Sequence, residues 1–342
     1  MSKEIHKPII GFTVGDINGV GPELIMKAFS NKSLLSMCTP IIYGSGRLFA
    51  YYRKALQMTE FNYKQIKSID DVDVRRINMI SCWEDELNIS PGESTPDGGK
   101  ASYLSLRTAT KDWVAGHIDA LVTAPINKSN IQNDEFKFAG HTEYLTKEAG
   151  ATNSLMLMTS PELKVGVVTS HIPLSQVSQS LTQDSIVQKV NILNKSLIND
   201  FGISKPKIAV LGLNPHAGDN GLLGLEEEKI IKPALDNLKR KNVLAFGPFS
   251  ADGFFGNAQY LSYDGVVAMY HDQGLIPFKT IAFEEGVNYT AGINLIRTSP
   301  DHGTAYEIAG KNKVNIQSFL QSIYTIIDIV KNRKEASIQS RV

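Results

Sequence analysis

The chain has 342 residues, of which 42% are hydrophobic, enough for two domains or for one large domain with insertions. Lysine plus arginine equal aspartate plus glutamate at 35 each, and this zero formal charge argues against a nucleic-acid binder, which would normally carry a basic surplus. Two cysteines form no disulfide framework, the N-terminus lacks the apolar core of a secretion signal, and no apolar run reaches the roughly 18 residues of a membrane span. We therefore expect a cytoplasmic protein that binds neither nucleic acid nor membrane.

Strand-like and helix-like segments alternate along the chain, which predicts an α/β fold with a largely parallel sheet. The stretch 272–310 is dense in polar residues and glycines and is expected to be irregular, and the charged tail 331–342 is expected to fray. The predicted strands cover 8–14, 39–44, 120–124, 154–159, 164–169, 207–213 and 265–270, and the predicted helices cover 22–29, 47–57, 100–115, 185–198, 225–238 and 316–330.

The loop 15–21 joins the first predicted strand to the first helix and contains three glycines. Backbone N–H groups at a helix start attract anions, so the loop suggests a dinucleotide site. The G-x-G-x-x-G pattern fails, however, because Leu24 stands where the third glycine should be. A tight turn that uses Asp16 and Asn18 as turn formers explains the loop equally well.

A second helix start is predicted at 140–145, where Thr142 would cap the helix and His141 would point outward. An imidazole beside a helix N-terminus suits a phosphate or a carboxylate. The alternative is an ordinary capped helix that carries a surface histidine.

Three histidines, His171, His216 and His271, each stand just past a short apolar strand. Ligands of open α/β sheets bind outside the carboxyl ends of the strands, so the three imidazoles could meet around one divalent ion. Asp219 and Asp272 could orient a ring or take part in proton transfer. The alternative is that each is an ordinary polar residue of a loop or turn.

Lys279, Asn288 and Arg297 recur at nine-residue intervals after His271. Arginine and lysine together can clamp an anion, although solvated surface charges would produce the same pattern. Small residues within 301–310 would allow a ligand to approach the backbone closely.

Taken together, these segments closely resemble the 4-hydroxythreonine-4-phosphate dehydrogenase family of vitamin B6 biosynthesis. Six matching motifs occur in the family's order and cover nearly the whole chain. One departure is Ile17-Asn18, where the family commonly has Pro-Ala. The motifs are Gly-Asp-x-x-Gly-Val-Gly-Pro-Glu at 15–23, Thr-Ala-Pro-Ile-Asn-Lys at 123–128, Gly-His-Thr-Glu-Tyr-Leu at 140–145, Asn-Pro-His-Ala-Gly at 214–218, Ala-Met-Tyr-His-Asp-Gln-Gly-Leu at 268–275 and Arg-Thr-Ser-x-Asp-His-Gly-Thr-Ala at 297–305.

The resemblance implies a homodimer of two-domain α/β/α subunits related to isocitrate and isopropylmalate dehydrogenases, with the active site in the interdomain cleft. The domains would cover about 1–130 plus 275–342 and about 131–274, and the metal site would be shared between partners. By analogy with those dehydrogenases, the adenosine of the cofactor would lie near His302, Gly303, Thr304 and Ala305. The implied metal ligands are His171, His216 and His271, and the implied substrate ligands are His141, Thr142, Lys279, Asn288 and Arg297.

The implied reaction oxidises 4-phosphooxy-L-threonine at C3 with NAD or NADP, followed by loss of CO₂. Asp272, Lys279 or a water would accept the proton, and the three histidines favour zinc or cobalt over magnesium or manganese. A first alternative is a sister enzyme acting on 4-phospho-D-threonate or a related phosphorylated hydroxy acid. Two further alternatives are a metal-dependent phosphatase or hydrolase and a catalytically idle sugar-phosphate binding protein.

Overall fold

A computed structural model describes residues 7–339 of the protein, except for the side chain of Gln339. The contacts divide the chain into two compact units, 1–150 with 294–330 and 151–293 with 331–342. The predictions for residues 1–6 and 340–342 lie outside the described residues. Among residues 7–339, no helix combines the length and the apolar character needed to cross a bilayer.

Strands and helices alternate through both units, as the sequence predicts. The strands are β1 (Ile9–Thr13), β2 (Thr39–Gly44), β3 (Lys64–Ile66), β4 (Asn78–Ser81), β5 (Ala120–Thr123), β6 (Leu155–Thr159), β7 (Lys164–Thr169), β8 (Ile208–Leu211), β9 (Ala245–Phe249), β10 (Gly265–Tyr270), β11 (Val287–Ala291) and β12 (Ile296–Pro300). The helices are α1 (Gly21–Ser30), α2 (Leu34–Met37), α3 (Gly46–Ala55), α4 (Pro96–Val114), α5 (His141–Glu148), α6 (Val177–Ser180), α7 (Gln183–Asn199), α8 (Lys232–Arg240), α9 (Ala251–Gly256), α10 (His271–Ala282) and α11 (Gln317–Gln339).

The strands of the first unit are all parallel, in the order β3-β4-β2-β1-β5-β12. Helices cover both faces of this sheet. On one face the Phe12 ring packs against Phe29 of α1 at 5.0 Å and against Phe319 of α11 at 6.4 Å. On the other face Ser105 of α4 donates to the Tyr43 carbonyl at 2.6 Å. The parallel strands bring their carboxyl ends to one edge, where the loop 15–21 begins.

The second unit has the strand order β11-β6-β7-β10-β8-β9, in which only β6 runs antiparallel to its neighbours. Gly274 of α10 lies so close to the sheet that a Cβ there would stand 2.8 Å from Val165 Cγ1. Helix α7 packs on the opposite face, where a Cβ on Gly265 would stand 3.1 Å from Leu193 and from Leu197. The predicted α/β fold with a largely parallel sheet is confirmed.

The prediction that 272–310 is irregular is wrong, because this stretch contains most of α10 together with β11 and β12. Its glycines and Pro277 resemble helix breakers in isolation, but Gly274 allows α10 to approach the sheet. The predicted helix over 225–238 is also divided, since one π-helical turn, Glu227–Ile231, precedes α8.

The prediction of a fraying tail is wrong for residues 331–339, which continue α11. Arg333 Nε donates to Asp200 Oδ1 at 2.6 Å, and Arg333 Nη2 donates to the Tyr289 hydroxyl at 2.8 Å. The Asp200 side chain is 4% exposed, so this ion pair is largely removed from water. The buried partner holds the charged helix end in place.

Candidate active site

In the first unit, the loop 15–21 contacts the loop 302–305. Val20 N–H donates to the Thr304 carbonyl at 2.9 Å, and a Cβ on Gly19 would stand 2.8 Å from that carbonyl oxygen. Ala305 holds a left-handed backbone with φ 44° and ends the loop before a short 3-10 turn. The predicted cofactor residues His302, Gly303, Thr304 and Ala305 therefore follow β12 and pack against the glycine-rich loop.

The carboxylate of Asp16 connects these loops and is fully buried. It accepts hydrogen bonds from Asn18 N–H at 2.9 Å, Asn130 Nδ2 at 2.8 Å and the Tyr306 hydroxyl at 2.6 Å. The first contact is the predicted turn, and the other two are long-range contacts that the turn interpretation does not predict. Burial raises the pKa of the Tyr306 hydroxyl, and its hydrogen bond to Asp16 raises that pKa further. The phenol therefore keeps its proton and is the donor.

A buried cation lies on β12 of the same unit. Arg297 on β12 is 3% exposed, and its Nε and Nη2 donate to the Thr123 hydroxyl at 2.9 and 2.7 Å. Nη2 also donates to the Ser299 hydroxyl at 2.8 Å. Burial lowers the pKa of Arg297 to about 9, which is still well above neutral pH, so the guanidinium remains a cation held by two hydroxyls.

His141 lies in the electrostatic field of Arg297. Burial lowers the pKa of His141 well below its usual value, and the positive charges of Arg297 and Lys128 lower it further. The imidazole is therefore neutral at pH 7, and its buried Nε2 has no hydrogen-bond partner. A buried polar atom without a hydrogen-bond partner near a buried cation is typical of a site that binds an anion.

The helix start at 140–145 differs from the prediction in two ways. Gly140, not Thr142, precedes the helix, and Thr142 is the second helical residue. The His141 ring nitrogen is buried rather than directed to solvent. The capping prediction is wrong because Gly140 occupies the cap position and Thr142 lies inside the helix, where its carbonyl accepts from the Thr146 hydroxyl at 2.6 Å.

The other two predicted anion ligands lie in the second unit. Lys279 is in the last turn of α10, and Asn288 is on β11, where it pairs with Met158 of β6. Both side chains are half-buried and both take part in polar interactions.

The three predicted metal ligands are also in the second unit, at the ends of β7, β8 and β10. The rings of His171 and His271 have centroids 6.0 Å apart. His216 is exposed and lies in a loop of its own. Among residues 7–339, no three or more His, Cys, Asp or Glu side chains form a group that could hold a metal ion within one chain.

The chemistry of the closer pair nevertheless suits a metal. His271 Nδ1 lies 2.6 Å from Asp272 Oδ1, and since a carboxylate only accepts, the proton is on Nδ1. This tautomer leaves the lone pair of Nε2 available to an ion, as in carboxylate–histidine–metal arrangements. His171 and His271 therefore fit as two ligands, and one chain does not bring the third to them.

His216 is in a loop with an unusual backbone. Five consecutive residues have positive φ between 42° and 83°, and only one of them is glycine. Left-handed non-glycine residues are strained and cluster at functional sites. The five are His216, Ala217, Gly218, Asp219 and Asn220.

Sequence reasoning did not identify Thr123, Lys128 and Ser299 as contributors to the Arg297–His141 site. All three lie in the motifs 123–128 and 297–305, at or just after buried strands. Their position at the strand ends could have marked them as site residues. The cysteines supply no nucleophile, because burial raises the pKa of both Cys38 and Cys82 to about 12.

Known proteins resemble this chain along its length. A family model described as Pyridoxal phosphate biosynthetic protein PdxA matches residues 36–326. A 4-hydroxythreonine-4-phosphate dehydrogenase from Bacteroides thetaiotaomicron is 48% identical over 332 residues, which cover 97% of this chain and 91% of that protein. A protein from Oceanobacillus iheyensis that is called a D-threonate 4-phosphate dehydrogenase is 39% identical, with 96% and 99% covered.

Solved structures agree with these relatives. A crystal structure of 4-hydroxythreonine-4-phosphate dehydrogenase from Klebsiella pneumoniae has a TM-score of 0.81 and 34% identity, and the match covers 96% of this chain and 99% of that one. Isocitrate dehydrogenase from Methylococcus capsulatus has a TM-score of 0.51 at 11% identity, with 98% and 89% covered, which shows a shared fold alone. The predicted kinship with that fold is confirmed.

Proposed function

The chain belongs to the PdxA family of pyridoxal phosphate biosynthetic proteins, and on that basis we propose that it is an NAD(P)-dependent 4-hydroxythreonine-4-phosphate dehydrogenase. The substrate is 4-phosphooxy-L-threonine, which is oxidised at C3 to 2-amino-3-oxo-4-phosphooxybutanoate. This β-keto acid loses CO₂ to give 3-amino-2-oxopropyl phosphate, a precursor for pyridoxine 5′-phosphate.

One observation carries the proposal: the buried Arg297 guanidinium lies near a neutral His141 whose Nε2 has no partner. A phosphate ester brings acceptor oxygens that both groups can bind, and arginine can hold two of them at once. Lys128 adds positive charge, and we assign Thr142, Lys279 and Asn288 to the remaining polar contacts of the substrate.

The cofactor is assigned to the loop 302–305. Thr304 lies so close to Gly19 that position 19 has no room for a side chain. The backbones of the loops 302–305 and 15–21 therefore lie side by side. Gly303 in this loop is exposed and a Cβ there would meet nothing within 4 Å, so the loop backbone is open to a dinucleotide, although the usual glycine fingerprint is absent. The choice between NAD and NADP is left to the assay below.

A bound nicotinamide would supply the hydride acceptor for C3, and a bound divalent metal would supply Lewis acidity at the hydroxyl oxygen. His171 and His271 would hold that metal, with Asp272 setting the tautomer of His271. Three imidazoles favour zinc or cobalt over magnesium and manganese. The chain's candidates for accepting the hydroxyl proton are Asp272 and Lys279, both on α10, and the pH profiles of kcat in D272N and K279M distinguish them.

We further propose a homodimer in which the partner supplies the third imidazole. Large apolar side chains next to the histidines are exposed, which is typical of surfaces that bind another protein. Ile172 and Leu174 follow His171, and Leu174 is 72% exposed. Leu222 follows the His216 loop and is 78% exposed. A second copy that covered these residues would bring its own histidines to the same region.

A coupled assay tests the proposed function. The protein is supplied with 4-phosphooxy-L-threonine, NAD or NADP, and Zn²⁺, Co²⁺, Mg²⁺ or Mn²⁺, and nicotinamide reduction is followed by absorbance. We expect turnover, and R297A should raise KM for the substrate about 10- to 100-fold, since a hydrogen bond to a charged group contributes about 1.5–3 kcal/mol. Phosphate release without nicotinamide reduction would instead indicate a metal-dependent phosphatase.

A second candidate is a dehydrogenase of 4-phospho-D-threonate. The Oceanobacillus relative with that name is 39% identical to this chain, so both substrates belong in the assay. The higher kcat/KM identifies the substrate, since the two compounds share the phosphate and differ at the carbon that the amino group occupies.

A further inference from the structure

We propose that Glu227 is a positioning residue that holds the loop 212–221, so that His216 is presented in the conformation required of a metal ligand. The inference rests on the proposed function in one respect, the role of His216 as a ligand. Glu227 begins the single π-helical turn and is 1% exposed, and nothing in the sequence pattern marked it.

The Glu227 carboxylate is surrounded by hydrogen-bond donors from the beginning of the loop. Its Oε1 accepts from Leu213 N–H at 2.7 Å and from Asn214 N–H at 2.8 Å. Its Oε2 accepts from Asn214 Nδ2 at 2.9 Å. Three donors thus converge on one buried side chain, and they all belong to the two residues that precede Pro215.

The carboxylate also lies against the inside of the turn. A Cβ on Gly218 would stand 2.7 Å from Oε2, and a Cβ on Gly212 would stand 3.0 Å from Oε1. Both glycines therefore make room for Glu227. Gly218 is the middle residue of the left-handed run from His216 to Asn220, so Glu227 lies against the run itself, and such a backbone persists only where its surroundings hold it.

The same loop is tied to the helix that carries His271. Gln273 Nε2 of α10 donates to the Gly212 carbonyl at 2.6 Å, and Gln273 Oε1 accepts from Met269 N–H at 2.7 Å. The start of the His216 loop is thereby fixed both to α10 and to Glu227. Loss of the Glu227 carboxylate removes the acceptor of both backbone N–H groups, leaves Asn214 Nδ2 with Glu226 Oε2 at 2.8 Å, and lets the strained loop relax.

The experiment compares Zn²⁺ affinity in the full-length protein, measured by competition with a chromophoric chelator. Glutamine in E227Q has nearly the same shape as glutamate, but one of its two acceptor oxygens becomes an N–H₂ donor. That N–H₂ group cannot accept a hydrogen bond, so the contacts to the backbone N–H groups or the contact to Asn214 Nδ2 must be lost. We expect the Zn²⁺ affinity to fall about 10- to 100-fold, the range for residues that orient metal ligands. E228Q is the matched control, because the carboxylate of the neighbouring Glu228 pairs with Lys232 instead.

A double-mutant cycle with H216A distinguishes positioning from a general structural role. If Glu227 acts through His216, E227Q should weaken Zn²⁺ binding no further once His216 is absent. Additive losses, or an E227Q affinity within twofold of the wild type, would overturn the inference while leaving the metal site intact. If the wild-type protein binds no Zn²⁺, or if H216A binds as much Zn²⁺ as the wild type, both this inference and the proposed metal centre are wrong.

Discussion

Burying the neutral His141 imidazole in the field of the Arg297 guanidinium costs free energy, and that cost should be visible in the stability of the protein. Arg297 is held by the hydroxyls of Thr123 and Ser299, and His141 Nε2 has no partner. The Nε2 atom is removed from water without a hydrogen bond, which proteins tolerate where a ligand completes the arrangement.

The pH dependence of stability should therefore contain a His141 contribution. The pKa of His141 is lowered in the folded protein, whereas an unfolded histidine titrates near 6.5, so below about pH 6.5 the unfolded chain binds a proton that the folded one does not. Stability is then lost as pH falls below about 6.5, with a slope of up to about 1.4 kcal/mol per pH unit.

H141Q removes this titration, so its Tm should fall less than that of the wild type between pH 7.5 and pH 5.5, in phosphate-free buffer. H117Q is the control, because His117 is 50% exposed. Equal pH dependence in the wild type and H141Q would refute the burial of a neutral imidazole.

The residue types of this site were readable from the sequence, but their orientation was not. His141 and Arg297 were candidates because imidazole and guanidinium bind anions. Gly140 rather than Thr142 precedes the helix, although threonine is by residue type a good cap. A capping rule that ranks residue types therefore misplaced this helix start.

At the scale of elements, α10 shows why a glycine inside a helix need not end it. G274A would place a methyl group 2.8 Å from Val165 Cγ1 and 3.1 Å from Ala268 Cβ. We expect a loss of about 1–3 kcal/mol in the free energy of unfolding, because overpacking a core displaces its neighbours. Urea titration followed by circular dichroism measures it.

G253A is the matched control for that prediction. Gly253 is also helical, in α9, and a Cβ there would meet nothing within 4 Å. Alanine should therefore leave stability unchanged or raise it by up to about 1 kcal/mol, through helix propensity alone. Similar effects of the two substitutions would mean that α10 does not pack tightly on β7 and β10.

The strands with long apolar runs were predicted to within a residue or two, as β7 and β10 show, because burial on both faces leaves a continuous signal. The strands β3, β4 and β9 were not predicted, because their sequences contain no continuous apolar run. Tertiary packing also determines α10, since Pro277 and Gly274 lower its local propensity and its contacts with Val165 and Ala268 restore it. The π-helical turn before α8 has no local signature at all.

For the whole molecule, the proposed dimer can be tested through Leu222. L222E puts a charge on a surface that should be covered by the partner, so we expect the sedimentation coefficient to fall toward that of a monomer. Zn²⁺ content should fall in parallel, since neither copy then has its third imidazole. Analytical ultracentrifugation and metal analysis on the same sample provide both readouts.

V74E is the control for the dimer prediction, because Val74 is 50% exposed and belongs to the first unit. It should sediment as the wild type does. An L222E protein with unchanged mass and full metal content would show that this face is not shared between copies. A wild-type monomer that binds one equivalent of Zn²⁺ would lead to the same conclusion.

The end of α11 has a practical consequence for anyone who expresses this protein. Arg333, in the last turns of α11, reaches the largely buried Asp200 and the Tyr289 hydroxyl. A truncation at 331 would leave a buried carboxylate without its cation, and breaking such a pair costs about 3–5 kcal/mol. Residues 331–339 should therefore be kept in any shortened version of the protein that is made for crystallisation.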